Sequence, residues 1–170
     1  MFDMIGKLEK LKNLKLPDWE TIPDTGIYKE ELMTYLRKVL DALYVVDKNV
    51  ITSSMINNYV KHGYVDKPIK KRYSRSSIAQ IIVIATFKQI ISIEDVAKGI
   101  DIEISTFGIK EVYENFRQIF KSASQSVLEE KRQGLVRFEF SYEDHHDKVL
   151  YYLALSLFTK LYTKVVIDNR

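Results

Sequence analysis

Ser54, Asn57, Asn58 and Lys61 stand at helical spacing and share one face, with no carboxylate among them. At about 100° per residue they lie opposite Met55, Ile56, Tyr59 and Val60, an apolar face able to hold a helix to a body. Solvated faces mix both signs of charge, whereas a face that meets phosphates avoids carboxylates, which repel them. Amides and an ammonium at this spacing suit base-pair edges: Asn pairs bidentately with adenine and Lys reaches guanine. Next in the chain come Lys67, Lys70, Lys71, Arg72 and Arg75, the first four on a loop stiffened by Pro68. Such cations grip phosphates and fix position without reading sequence. Residues 52–75 carry six Lys or Arg against Asp66, a net +5 on a chain of +3, so the remainder is slightly acidic. A basic cluster on such a background marks one surface for an anionic partner.

Other groups with chemical potential are weaker. Glu143-Asp144-His145-His146-Asp147 contains metal-ligand types, but adjacent histidines point about 100° apart on a helix, and acids at a helix start are expected from its dipole. No metal is assigned to them. His62, at a helix C-terminus beside the basic loop, suits a phosphate or dipole contact. The chain has no glycine-rich phosphate loop, nucleophile motif or His–acid pair at productive spacing, so neither an enzyme nor a cofactor is expected.

Elements must position the basic surface. Thr52 caps a helix over 53–62, and Gly63 ends it in the left-handed region that glycine occupies cheaply. The preceding helix covers 28–46, capped by Asp24 or Thr25, with a stripe of Leu32, Leu36, Val39, Leu40 and Leu43. Ser74 caps a helix over 75–91 that is apolar nearly all round and so forms the buried centre. Ser92 and Asp95 resemble a capping box for a short helix to about Lys98, and Gly99–Gly108 reads as a connector. Residues 109–132 are strongly amphipathic through Ile109, Val112, Tyr113, Phe116, Ile119, Phe120, Ala123 and Val127. Gly134–Phe140 reads as irregular. A last helix over 143–168 has a stripe of Val149, Leu153, Leu157, Leu161 and Val165 broadened by Leu150, Phe158 and Tyr162, which implies burial in a core or against a second copy. Residues 1–16 give a short helix docked on the body, with a basic membrane or nucleic-acid anchor as the alternative. Residues 17–27 form a proline-containing tether, pinned by Trp19.

Few Gly and Pro, six and three, favour long helices, and 46% apolar content suffices for a core. The absence of Cys removes disulfides and thiolate sites. The most apolar runs, Ile78–Phe87 and Val149–Phe158, are about half the ~20 residues a membrane helix needs. With no signal segment at Met1–Leu16, the expectation is a soluble cytoplasmic protein without a membrane partner.

The string MINNYVKHGYV, followed by Pro68 and KKRYSRSSIAQI, resembles the winged-helix domain of MerR-type regulators. There a recognition helix ending in Gly and two apolar residues leads to a Pro-containing wing, an Arg/Tyr-rich stretch and an apolar helix; ISIEDV matches the next element. The resemblance implies groove-facing Asn57, Asn58 and Lys61, a helix anchor in Tyr59, and Arg72 and Tyr73 at the end of the wing. The chain departs from that pattern at Asn57, where an Arg is usual, and at Asn58–Tyr59, where a Tyr pair is. More closely, LPDWETIPD, a helix, ITSSMINNYVKHGYV and KKRYSR are similar to the bacterial family of the domain of unknown function DUF1836, over roughly residues 16–100.

The expectation is therefore an all-α chain: a docking segment (1–27), a MerR-like winged helix-turn-helix domain (28–100), and two long C-terminal helices (101–170) that close the core or dimerise. It would act as a transcription regulator on double-stranded DNA, as a homodimer. Two alternatives stand beside it. One is a protein-interaction module without DNA contact. The other is a ligand sensor with a pocket lined by Tyr113, Phe116, Phe120, Tyr152 or Phe158.

Overall fold

Seven α-helices organise this computed structural model, which describes residues 2–129 and 145–169. They are α1 (Phe2–Lys12), α2 (Lys29–Val39), α3 (Ser53–Lys61), α4 (Arg75–Phe87), α5 (Ile93–Phe107), α6 (Ile109–Leu128) and α7 (His145–Asp168). Two 3-10 turns, Trp19–Thr21 and Asp41–Val45, and two short strands, β1 (Ile27–Tyr28) and β2 (Arg72–Tyr73), complete the described elements. The fold is mostly helical, as the scarcity of turn residues implies.

Helix α4 is the centre. Ser74 caps it, its Oγ accepting from the Ser77 N–H at 3.1 Å, and every residue from Ser77 to Phe87 is buried. The helix stops at Phe87 rather than Ile91, because the chain turns there and the N–H groups of Ile90 and Ile91 both bond back to the Phe87 carbonyl. Around it pack α5, α6 and α7. Rings link three helices in series: Phe87 of α4 meets Phe116 of α6 edge-on at 5.4 Å, Phe116 meets Phe120 at 5.6 Å, and Phe120 meets Phe158 of α7 at 4.7 Å. Each such pair contributes about 0.5–1.5 kcal/mol beyond its buried area. A single cluster of core side chains runs from Leu11 in α1 to Val165 in α7, so the C-terminal helices close the same core that α2, α3 and α4 build.

Four sequence expectations give way. The N-cap of α2 is Tyr28, not Asp24 or Thr25; Glu31 Oε2 accepts from the Tyr28 N–H at 2.8 Å. That helix ends at Val39 and passes into the 3-10 turn instead of continuing to 46. The Ser92–Asp95 cap is present at 3.1 Å, but α5 continues to Phe107, through the stretch expected to be a connector. Val96 and Ile100, buried, and Ile104, half-buried, hold it to the core, and this packing overrides the poor propensity of Gly99 and the β-branched residues after it. In α7, Leu157, Phe158, Leu161 and Val165 of the expected stripe are buried and are joined by Tyr151, Ala154 and Leu155, whereas Val149 is 60% and Tyr162 43% exposed.

From Asp147 to Asp168, α7 is long and apolar enough to cross a membrane by length and composition, a property that ten-residue runs did not reveal. Here it packs along α6 and touches α1 and α4. Gly134–Phe140, Glu143 and Asp144 lie outside the described residues. Of the acidic-histidine string, Asp147 is placed with a partner: its Oδ1 accepts from Asn115 Nδ2 at 2.6 Å. Among the described residues no group of three His, Asp or Glu side chains is arranged to hold a metal ion.

Candidate nucleic-acid interface

Helix α3 begins where Thr52 Oγ1 accepts from the Met55 N–H at 3.2 Å. Ile56 and Tyr59 anchor it, at 0% and 1% exposure. Burial pushes the Tyr59 hydroxyl up to about 12, so it stays neutral in the core. Gly63 takes φ +75°, and two bonds close the end: Gly63 N–H to Val60 O at 3.2 Å and Tyr64 N–H to Tyr59 O at 2.9 Å. This Schellman arrangement satisfies the last carbonyls and turns the chain sharply. Ser54, Asn57, Asn58 and Lys61 are all exposed on the opposite side, as their spacing requires.

The basic loop is a hairpin. Ile69 and Arg72 exchange both backbone hydrogen bonds, at 3.0 and 2.9 Å, around a two-residue turn in which Lys70 has φ +49° and Lys71 φ +67°. Positive φ at both central positions is the type I′ geometry that Asn-Gly ordinarily fills. For a residue with a Cβ it costs roughly 1–2 kcal/mol. Both lysines are exposed, as is Lys67, and Ile69 beside them is 77% exposed. The hairpin is rooted by β2, which pairs antiparallel with β1 in the register Ile27 to Tyr73 and Tyr28 to Arg72.

Three of the expected contact residues take part in that root: Arg72, which stays exposed, and Tyr73 and Arg75, which turn inward. Arg72 lays its guanidinium over the Tyr28 ring at 4.3 Å and donates to the Gly26 carbonyl at 3.0 Å. Gly26, at φ +72°, lets this happen, since a Cβ there would come within 3.1 Å of Arg72 Cβ. Tyr73 is in the core at 4% exposure. Arg75 turns inward with a side chain only 15% exposed: its Nε donates to the Ile22 carbonyl at 3.0 Å, Nη1 meets Glu20 at 2.9 Å, and the guanidinium faces the Trp19 ring at 5.7 Å. The exposed groups are Ser54, Asn57, Asn58, Lys61, Lys67, Lys70, Lys71 and Arg72, the last with its guanidinium held on Tyr28 and the Gly26 carbonyl.

Lys29, not anticipated from the sequence, joins the two halves. Its Nζ donates to Asn57 Oδ1, and it shares a shallow concavity with Tyr28, Glu30, Glu31 and Lys71. Helix face and hairpin therefore meet across the start of α2. A base read through the Asn57 oxygen must displace that ammonium. The available sequence signal was electrostatic: Lys29 opens a helix, where a cation opposes the macrodipole. His62 is exposed and stacks on Tyr64 at 5.6 Å between ring centres.

The tether is bonded behind the hairpin root. The Trp19 N–H donates to Glu114 Oε1 at 2.7 Å, Tyr113 OH donates to the Pro17 carbonyl at 2.9 Å, and Arg117 bridges Asp18 at 2.7 Å and Glu114 at 2.8 Å. Burial raises the Glu114 carboxyl, but the Trp19 N–H and the Arg117 guanidinium outweigh it and hold the group below the usual carboxylate value. Glu20 takes Arg75 on one oxygen and Lys110, at 2.6 Å, on the other, linking the hairpin root to α6.

Residues 17–122 match the family described as domain of unknown function (DUF1836). The matched stretch opens at the tether and ends within α6, so it contains α3, the hairpin and the tether's contacts with α6. No curated protein and no solved structure matches the chain.

Proposed function

This chain belongs to the DUF1836 family, a domain of unknown function, and since membership supplies no activity we propose from the surface itself that the protein binds double-stranded DNA as a transcription regulator. In this reading α3 enters the major groove as the second helix of a winged helix-turn-helix, with α2 crossing behind it. The Lys70–Lys71 hairpin is the wing on the phosphates. The observation that carries the reading is the acid-free exposed face of α3 standing beside a hairpin tip of lysines, with Lys29 between them. Amides and an ammonium on a helix suit base edges, and a rigid cationic tip suits the backbone. Two copies would set their α3 helices about one helical turn apart, which favours a palindromic site.

The test is fluorescence anisotropy with the full chain, first on random duplexes and then on sequences selected from a random pool. If each protomer neutralises roughly four phosphates, log K falls with log salt at about −0.9 per phosphate. Replacing Lys67, Lys70 and Lys71 together by Ala should weaken binding to every duplex and flatten the slope by about 0.9 for each cation lost. Asn58→Ala should instead change which sequence is preferred. Arg72 is kept intact in these variants, because it roots the hairpin. Absence of measurable duplex binding at low salt would sink the proposal. The exposed Ile69 favours one rival, a basic surface that meets an acidic protein; a partner that survives nuclease treatment of the lysate would point there.

A further inference from the structure

Of the aromatic residues expected to line a ligand pocket, Tyr113, Phe116, Phe120 and Phe158 are buried in the core and Tyr152 is exposed. Chemistry that remains unassigned lies on the surface, where α2 meets α3. Lys29 is the first residue of α2, half-buried beside the Tyr28 cap, and its Nζ donates to Asn57 Oδ1. An ammonium has donors and no acceptor, so the amide atom it holds is the oxygen. The bond therefore fixes which way the Asn57 amide is turned. It leaves Nδ2, which only donates, as the group that meets a base.

The two purines ask for different partners. Adenine presents an acceptor at N7 and a donor at N6, and asparagine pairs with it through both amide atoms. Guanine presents two acceptors, N7 and O6. With Oδ1 committed, Asn57 and Lys29 together offer donors alone. That set complements guanine and sets a donor against the N6 amino group of adenine. The surroundings keep the ammonium on the amide. Glu30 and Glu31 line the same shallow concavity as Lys29 and Lys71, and their carboxylates repel a phosphate that would draw Lys29 away. Glu31 is fixed there by the Tyr28 N–H, 2.8 Å from its Oε2.

We propose that Lys29 determines specificity: by occupying the Asn57 oxygen it turns this amide from a reader of adenine into a reader of guanine. The inference rests on the DNA-binding reading above and names the base that the α3 face selects at one position.

Selection of bound duplexes from a random pool tests it, with the full chain as wild type, Asn57→Ala and Lys29→Met. The position whose preference Asn57→Ala erases is the one that Asn57 reads. Wild type should favour guanine over adenine there by about tenfold, within the range a bidentate contact discriminates. Lys29→Met keeps an unbranched stem and removes the ammonium, so preference should pass to adenine by a similar factor. Anisotropy titrations of the same variant should show the salt slope of wild type, whereas loss of a phosphate contact would take about 0.9 from it. The urea midpoint should not fall, because a cation at the first helical position opposes the macrodipole. Adenine preferred by wild type, the same base preferred by Lys29→Met, no preference erased by Asn57→Ala, or a slope reduced by about 0.9 in Lys29→Met each overturns the assignment and leaves DNA binding standing. Absence of duplex binding by wild type at low salt overturns the DNA reading, and this inference with it.

Discussion

Lys70 and Lys71 hold backbone angles that asparagine and glycine hold at little cost, and they hold them at the tip of an exposed hairpin. Strain kept at such a place implies a use for the side chains that outweighs it. Lys70→Asn with Lys71→Gly should therefore raise stability, by roughly 1 kcal/mol or more, in urea unfolding. The same variant should weaken duplex binding and flatten its salt dependence by about 0.9 per cation removed. Opposite signs in the two measurements are the point of the experiment; loss of stability would show that the turn is not strained. The exposed polar face of α3 was legible in the sequence because exposure along the helix follows from local periodicity alone. The roles of Arg72 and Arg75 were not, because their partners, Gly26 and Ile22, lie 46 and 53 residues away. Charge counting treats every cation alike, and only the fold distinguishes a lysine aimed at solvent from an arginine spent on holding two segments together.

At the scale of elements, the tether between Pro17 and Asp24 behaves as a strap across α6 and the hairpin root. Its central bond, from the Trp19 N–H to the Glu114 carboxylate, depends on a charge. Glu114 in the folded protein titrates below the ordinary carboxylate value. A depressed carboxyl contributes stability that is present above its unfolded value and is lost as pH falls through the folded one. Trp19 is the sole tryptophan, so its emission reports the strap without interference. Acid titration should move that emission to the red below about pH 4.5, ahead of the loss of helical signal. Glu114→Gln should abolish this early step, and an unchanged titration in that variant would show that the strap is held by packing instead. Helix starts were the elements most readable beforehand: Thr52, Ser74 and Ser92 all cap as their spacing implies. Helix ends were less so. Gly99 interrupts the pattern of α5 without interrupting the helix, because the side chains that hold it meet α4 and α6, information no local window contains.

For the whole molecule, the aromatic series from Phe87 through Phe116 and Phe120 to Phe158 makes residues 28–100 dependent on α6 and α7. A fragment of 28–100 would expose Phe87 and leave Arg75 without Glu20 and the Ile22 carbonyl. It should lack a cooperative urea transition and a near-UV dichroism signal; a sharp transition would establish an autonomous domain. The mostly helical class was readable from composition, and the choice between closing one core and pairing with a second copy was not, since apolar stripes do not name their partners. The strap has a consequence for biosynthesis. Trp19 meets Glu114 across 95 residues. At about 5–20 residues per second, roughly 5–20 s of translation separate them. Over that interval Trp19 has emerged without the α6 carboxylate that fastens its backbone, and Pro17 without the Tyr113 hydroxyl. A segment made well before its partners is thus among the last to be fastened, and a nascent chain stalled before α6 offers it to chaperones.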